Sequence, residues 1–224
     1  MENFIVLGAL QIYFSLLLIL AAIPFLVGLF RIKKLTAEQI ILWILATVTI
    51  MSESFTYYLR EHHQNNLWVY HLYVPLVFIL MVLLYKKLLD PLVKGQLLWA
   101  LGFLYLVFSI SNSIYWQPIS TLNTNAIWLS NLIFMGLSLI YFYFLLKSPI
   151  EVPLKKLAQF WLNLAILIYY SSTLIIFLFI SYIDGLSPEL VNTTWWLNTA
   201  MFAVLNVLYA ISLWINSEKV VLQS

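Results

Sequence analysis

Residues Asn66 to Lys94 read NLWVYHLYVPLVFILMVLLYKKLLDPLVK, and this stretch decides the class of fold. From Leu67 to Tyr85 it carries no charged residue. A helix needs about 20 predominantly apolar residues to cross a hydrocarbon core about 30 Å thick. The run opens on Trp68 and closes on Tyr85, Lys86 and Lys87. Aromatic rings thus fall at the expected membrane–water boundaries, with lysines just beyond. Outward from this run, six further stretches have the same character: Phe4–Phe30, Gln39–Leu59, Leu97–Tyr115, Ile127–Leu146, Leu157–Ile183 and Trp195–Ile215. The expectation is an all-α, polytopic membrane protein with seven transmembrane helices in a single domain spanning residues 1–224. Helices satisfy their own backbone polar groups in lipid. A β-barrel would instead show alternating segments of about ten residues.

Composition agrees. Of 224 residues, 63% are hydrophobic and 9% charged, against about 25% charged in soluble domains. So few charges cannot solvate a water-facing surface, whereas membrane lipids as partners need none. A net charge of +2 gives no reason to expect a nucleic-acid partner. Cysteine is absent, which removes disulfides, thiolate nucleophiles and cysteine-ligated metals. Met1-Glu2-Asn3 lacks the basic start of a signal peptide, and the apolar run behind it is too long for one. It reads as a retained first span.

The basic residues set the expected orientation. Arg31, Lys33 and Lys34 follow span one, Lys86, Lys87 and Lys94 follow span three, and Lys147, Lys155 and Lys156 follow span five; Lys219 lies in the tail. These are alternate connections, and only Arg60 among the basic residues lies elsewhere. By the positive-inside rule the N-terminus is outside and the C-terminus cytoplasmic, in a cell inner (plasma) membrane. Trp68, Trp116, Trp128, Trp195 and Trp196 fall at outer ends, while Trp43, Trp99, Trp161 and Trp214 fall near inner ends. Pro24 and Pro75 lie inside spans, and Pro118, Pro149, Pro153 and Pro188 are expected in loops.

Function has to be read from polar groups inside the spans. Glu53 is the one acidic residue well inside, seven residues from Arg60. An acidic side chain at a helix centre costs about 3 kcal/mol on insertion scales, so it should face the interior and meet a counterpart. Ala46, Thr49, Glu53, Thr56 and Arg60 follow 3–4 spacing and mark one small, polar face. His71, the one histidine within a span, lies near the outer end of span three, beside Tyr70 and Tyr73. The short connection between spans two and three makes a Glu53–His71 contact sterically reasonable. Asn112, Asn131 and Asn198 fall in the same outer half, and Tyr169, Tyr170, Asn206 and Tyr209 lie nearer the midplane. Such residues serve either as interhelical glue or as the lining of a pocket. The expected ligand-binding set is Glu53, His71, Tyr73, Asn112, Asn131 and Asn198, with no metal and no cofactor.

Several seven-helix classes are excluded by missing residues. A retinal pigment needs a lysine in its last span, and Trp195–Ile215 has none. A three-histidine zinc site cannot be built in the spans from His71 alone. The Pro-Gln signature of PQ-loop sugar carriers is reversed here to Gln117-Pro118. Asn66 to Tyr73, with Glu53 in the preceding helix, resembles small uncharacterised bacterial seven-helix proteins. Those in turn are similar to the membrane sensor regions of some histidine kinases. The resemblance implies a sensory or accessory role, with output through a protein partner in the membrane. The competing expectations are an enzyme acting on a lipid or isoprenoid, with Glu53 as general base and His71 its partner, a small transporter protonated at Glu53, and a structural subunit of a membrane complex.

Overall fold

Each expected span forms a continuous helix in the computed structural model. It describes the backbone of residues 2–90, 92–149, 152–184 and 188–216, and side chains within 15–90, 92–149, 152–179 and 189–216. Lys219 lies outside these residues. The helices are α1 (Glu2–Arg31), α2 (Ala37–Glu61), α3 (Trp68–Leu88), α4 (Gly95–Tyr115), α5 (Thr124–Lys147), α6 (Ala158–Asp184) and α7 (Pro188–Trp214). All seven are long and apolar enough to cross a membrane, as expected of a multi-pass membrane protein. No strand occurs among the described residues.

Local chemistry explains the boundaries. Thr36 and Gln39 form a capping box at the start of α2. The Thr36 amide donates to Gln39 Oε1 at 3.0 Å, and the Gln39 amide donates to Thr36 Oγ1 at 3.4 Å. Two orphan amides of the first turn are satisfied this way. One boundary differs from expectation, since α7 begins at Pro188 and not near Trp195. Pro188 therefore opens a helix instead of lying in a loop. Proline suits a first turn, where its missing N–H has no intrahelical use, and Glu189 beside it complements the helix dipole. Thr193 and Thr194 then donate to the carbonyls of Glu189 and Leu190 at 2.9 and 2.8 Å, carrying the helix through a polar stretch that hydropathy leaves out.

Helices α1, α2, α3, α5, α6 and α7 close a ring in that order. α4 stands outside it, packed on α3 and only thinly on α5. Phe103, Leu104, Ile110 and Ile114 of α4 are accordingly exposed. α3 is buried nearly all round, with Phe78, Met81, Val82, Leu84 and Tyr85 inaccessible. An aromatic chain crosses the interior from α4 to α6: Tyr105 stacks on Phe78 at 3.6 Å, Phe78 meets Phe134 at 5.1 Å, and Phe134 meets Tyr170 at 4.9 Å.

The lysine-rich end is tied tightly. Gln39 Nε2 donates to the carbonyls of Ser212 and Ile215 at 2.7 and 2.9 Å, joining the start of α2 to the end of α7. Arg31 donates to the Trp214 carbonyl and the Asn216 side chain. Ser212 donates to the Ala158 carbonyl at 2.9 Å, bringing in α6. Deeper, Tyr85 donates to Asn163 Oδ1 at 2.9 Å, and Ser138 donates to the Asn163 carbonyl at 2.8 Å, linking α3, α5 and α6. Trp43 fills the α1–α2 crossing and donates to the Phe25 carbonyl at 3.0 Å. Gly28 is required there, because a Cβ on it would run into the Trp43 indole.

Candidate functional site

The inward face of α2 can be read from burial. With about 100° per residue, the buried Gln39, Leu42, Leu45, Ala46, Thr56 and Leu59 occupy one arc. Glu53 falls inside that arc, between Leu42 and Ala46. Its side chain is thus turned to the ring interior, where it is half-buried. Among the described residues it accepts no hydrogen bond and makes no ion pair.

The height of Glu53 relative to α7 follows from the Gln39 clamp. Gln39 and Glu53 are fourteen residues apart, and so are Asn198 and Ser212. Both pairs span ~21 Å of helix. Because Gln39 bonds the Ser212 carbonyl, Glu53 and Asn198 lie at the same height to within about one turn. α2 and α7 are in contact. Asn198 shares its stripe on α7 with the buried Phe202, Leu205 and Tyr209, so it too faces inward. It is 8% exposed, and its Oδ1 is buried without a hydrogen-bond partner. The same holds for the hydroxyls of Ser52 and Thr56, the latter residue 1% exposed. Buried polar atoms in native proteins are nearly always hydrogen-bonded, so orphans on Thr56, one turn above Glu53, and on Asn198, at its height, are not ordinary packing.

Tyr73 completes this side of the ring. Its hydroxyl lies 3.0 Å from Thr49 Oγ1. Thr49 donates its only hydroxyl proton to the Leu45 carbonyl at 2.9 Å, so Tyr73 must be the donor between the two. Its oxygen is left free to accept a further hydrogen bond.

The expected Glu53–His71 contact does not form. His71 and Tyr73 lie about 200° apart around α3, and Tyr73 takes the side facing α2. His71 is turned to α4 and to the connection between α4 and α5, where it is 7% exposed. Its Nε2 donates to the Thr121 carbonyl at 2.9 Å, and its Nδ1 shares a hydrogen bond with Ser113 Oγ at 2.7 Å. Asn112 belongs to that side as well, bonded to Gln117 and Asn125 at 3.0 Å each. Asn123 ties the same connection to the Tyr70 carbonyl at 3.1 Å. Asn131 donates to Thr173 Oγ1 at 3.1 Å between α5 and α6. Of the six residues singled out by sequence, Glu53 and Asn198 face the ring interior at one height, and Tyr73 meets α2 one turn below Glu53. His71, Asn112 and Asn131 are satisfied in other networks.

Sequence reasoning missed Ser52, which lies at the rim of the buried arc, and the role of Thr49 in orienting Tyr73. The 3–4 spacing on α2 holds the signal for Thr49 and Thr56, whereas Ser52 gives none. An open groove of about 610 Å³ at the lysine-rich end, lined by Phe142, Leu145, Val152 and Phe160 among others, shares no residue with this region. No protein-family model matches the chain, and no curated protein or solved structure matches it either.

Proposed function

We propose that this chain is a membrane sensory or accessory protein that holds a small ligand between α2, α3 and α7 and passes its bound state to a protein partner. Its lysine-rich end faces the cytoplasm of a cell inner (plasma) membrane, so the ligand region opens toward the outer half. The observation that carries the reading is the pair of buried, unsatisfied oxygens on Thr56 and Asn198 near the height of the inward carboxylate of Glu53. Keeping such a group inside a membrane helix is costly, and a ligand that meets those oxygens removes the cost. Binding would favour the arrangement in which α2 and α7 both touch the ligand, a shift set by its differential affinity for the two states. His71, Asn112 and Asn123 act on this reading as fasteners that hold α3, α4 and their connections rigid while α2 and α7 respond.

Affinity purification from native membranes after in-cell crosslinking tests the proposal. A stoichiometric protein partner is expected with the wild type, and its recovery should change in Glu53→Gln. A chain that purifies alone and turns over a lipid substrate, with turnover lost in Glu53→Gln, would replace this reading with that of an enzyme.

A further inference from the structure

The polar atoms that α2, α3 and α7 turn inward near the height of Glu53 share one chemical capacity, which narrows the ligand class. When ionised, Glu53 offers carboxylate oxygens that can only accept. Asn198 presents an orphaned carbonyl oxygen, and Tyr73 presents an acceptor because its proton is committed to Thr49. The unpartnered hydroxyl of Thr56 can turn its lone pairs the same way. Among the described residues, no lysine, arginine or histidine side chain bonds any of these four groups. An anionic ligand would meet the Glu53 carboxylate with like charge and leave these acceptors unmatched. A single positive charge would satisfy them together, because hard cations take carboxylate, carbonyl and hydroxyl oxygens, and an ammonium group is all donor and no acceptor.

The vertical order is also defined. Tyr73 meets α2 at Thr49, one turn below Glu53 toward the lysine-rich end, and Thr56 lies about one turn above. Asn198 faces the ring interior at the height of Glu53. The site therefore covers about two turns, ~10 Å, with its charged centre at mid-height. We propose that this is a binding site for a monovalent cation, either a sodium-sized metal ion or a primary ammonium head, held by Glu53 and Asn198 with Thr56 and Tyr73 capping it from either side. The inference rests on the ligand-binding reading above and specifies its ligand.

The test uses the full chain purified in detergent, with thermal unfolding followed by tryptophan fluorescence. Sodium, potassium, methylammonium and choline chloride are compared at equal ionic strength. The wild type should unfold at a higher temperature, saturably, in at least one of the three small cations than in choline. A rise in methylammonium alone identifies an amine head, and a rise confined to sodium or potassium identifies a metal ion. The increment should vanish in Glu53→Gln, and Asn198→Ala should raise the half-saturating concentration roughly tenfold, about 1.4 kcal/mol. Exposed Glu189→Gln should keep the wild-type response. Should either site variant fail to fold, sodium-23 line broadening of the wild type, reversed by excess methylammonium, gives the same answer. Equal unfolding temperatures in all four salts, or a full response in Glu53→Gln, would overturn the inference. These measurements involve no partner protein, so they can fail or succeed independently of the sensory role.

Discussion

Replacing Gln39 by leucine should weaken both the fold and the ligand site, and the size of the loss can be worked from its bonds. Gln39 is 4% exposed, so water cannot take its place. Its Nε2 supplies donors at 2.7 and 2.9 Å to the carbonyls of Ser212 and Ile215, which belong to the end of α7, where carbonyls have no intrahelical donor. Interhelical hydrogen bonds in a membrane protein are worth about 0.6 kcal/mol on average and up to about 1.7, so two lie between about 1 and 3 kcal/mol. Loss of the Oε1 half of the capping box adds about 0.5–1 kcal/mol. The expected destabilisation of Gln39→Leu is therefore about 1.5–4 kcal/mol. Unfolding in mixed micelles by increasing SDS, followed by tryptophan fluorescence, measures it. Because this clamp sets the height of Glu53 against Asn198, the variant should also lose part of its cation-dependent stabilisation. A loss below ~0.5 kcal/mol, or an unchanged cation response, would refute the idea that Gln39 fixes the α2–α7 register.

Other substitutions probe the rest of the structure. Gly28→Ala should displace the Trp43 indole and break its bond to the Phe25 carbonyl, costing about 1–3 kcal/mol as overpacking does; the same unfolding assay reads it. Tyr85→Phe strips Asn163 Oδ1 of its donor at 2.9 Å and should cost about 0.6–1.7 kcal/mol, with Asn163→Leu in the same background recovering part of the loss. His71→Phe removes the bonds to Ser113 and Thr121 and should destabilise by about 1–3 kcal/mol. Its cation response should stay as in the wild type, and a His71→Phe variant that loses that response would place His71 in the ligand site after all.

Much of this architecture is legible in the residues themselves. Six of the seven spans agree with the helices to within a few residues, because apolar length and flanking charge both change sharply where the core ends. The start of α7 escapes this reasoning, since Pro188 to Thr194 are polar residues that a helix end can hold in water. The inward direction of Glu53 was visible in the 3–4 spacing of Ala46, Thr49 and Thr56, because α2 has a distinct buried arc. α3 offers no such guide. It is buried on nearly every side, so its hydrophobic pattern carries no preferred face, and whether His71 or Tyr73 looks toward α2 could not be read from it. The exclusion of α4 from the ring was equally invisible, because a lipid-facing helix and a ring helix are both apolar. Asn198 could be named from its depth, but its lack of a partner is a property of packing.

The most direct test is a density map of the protein purified from its native membranes in sodium-containing buffer. It should show the Glu53 side chain turned into the helix ring, with compact density in contact with its carboxylate, the Asn198 amide oxygen and the Thr56 hydroxyl. A Glu53 side chain directed at acyl chains, or a gap between α2 and α7 filled by apolar side chains, would contradict it.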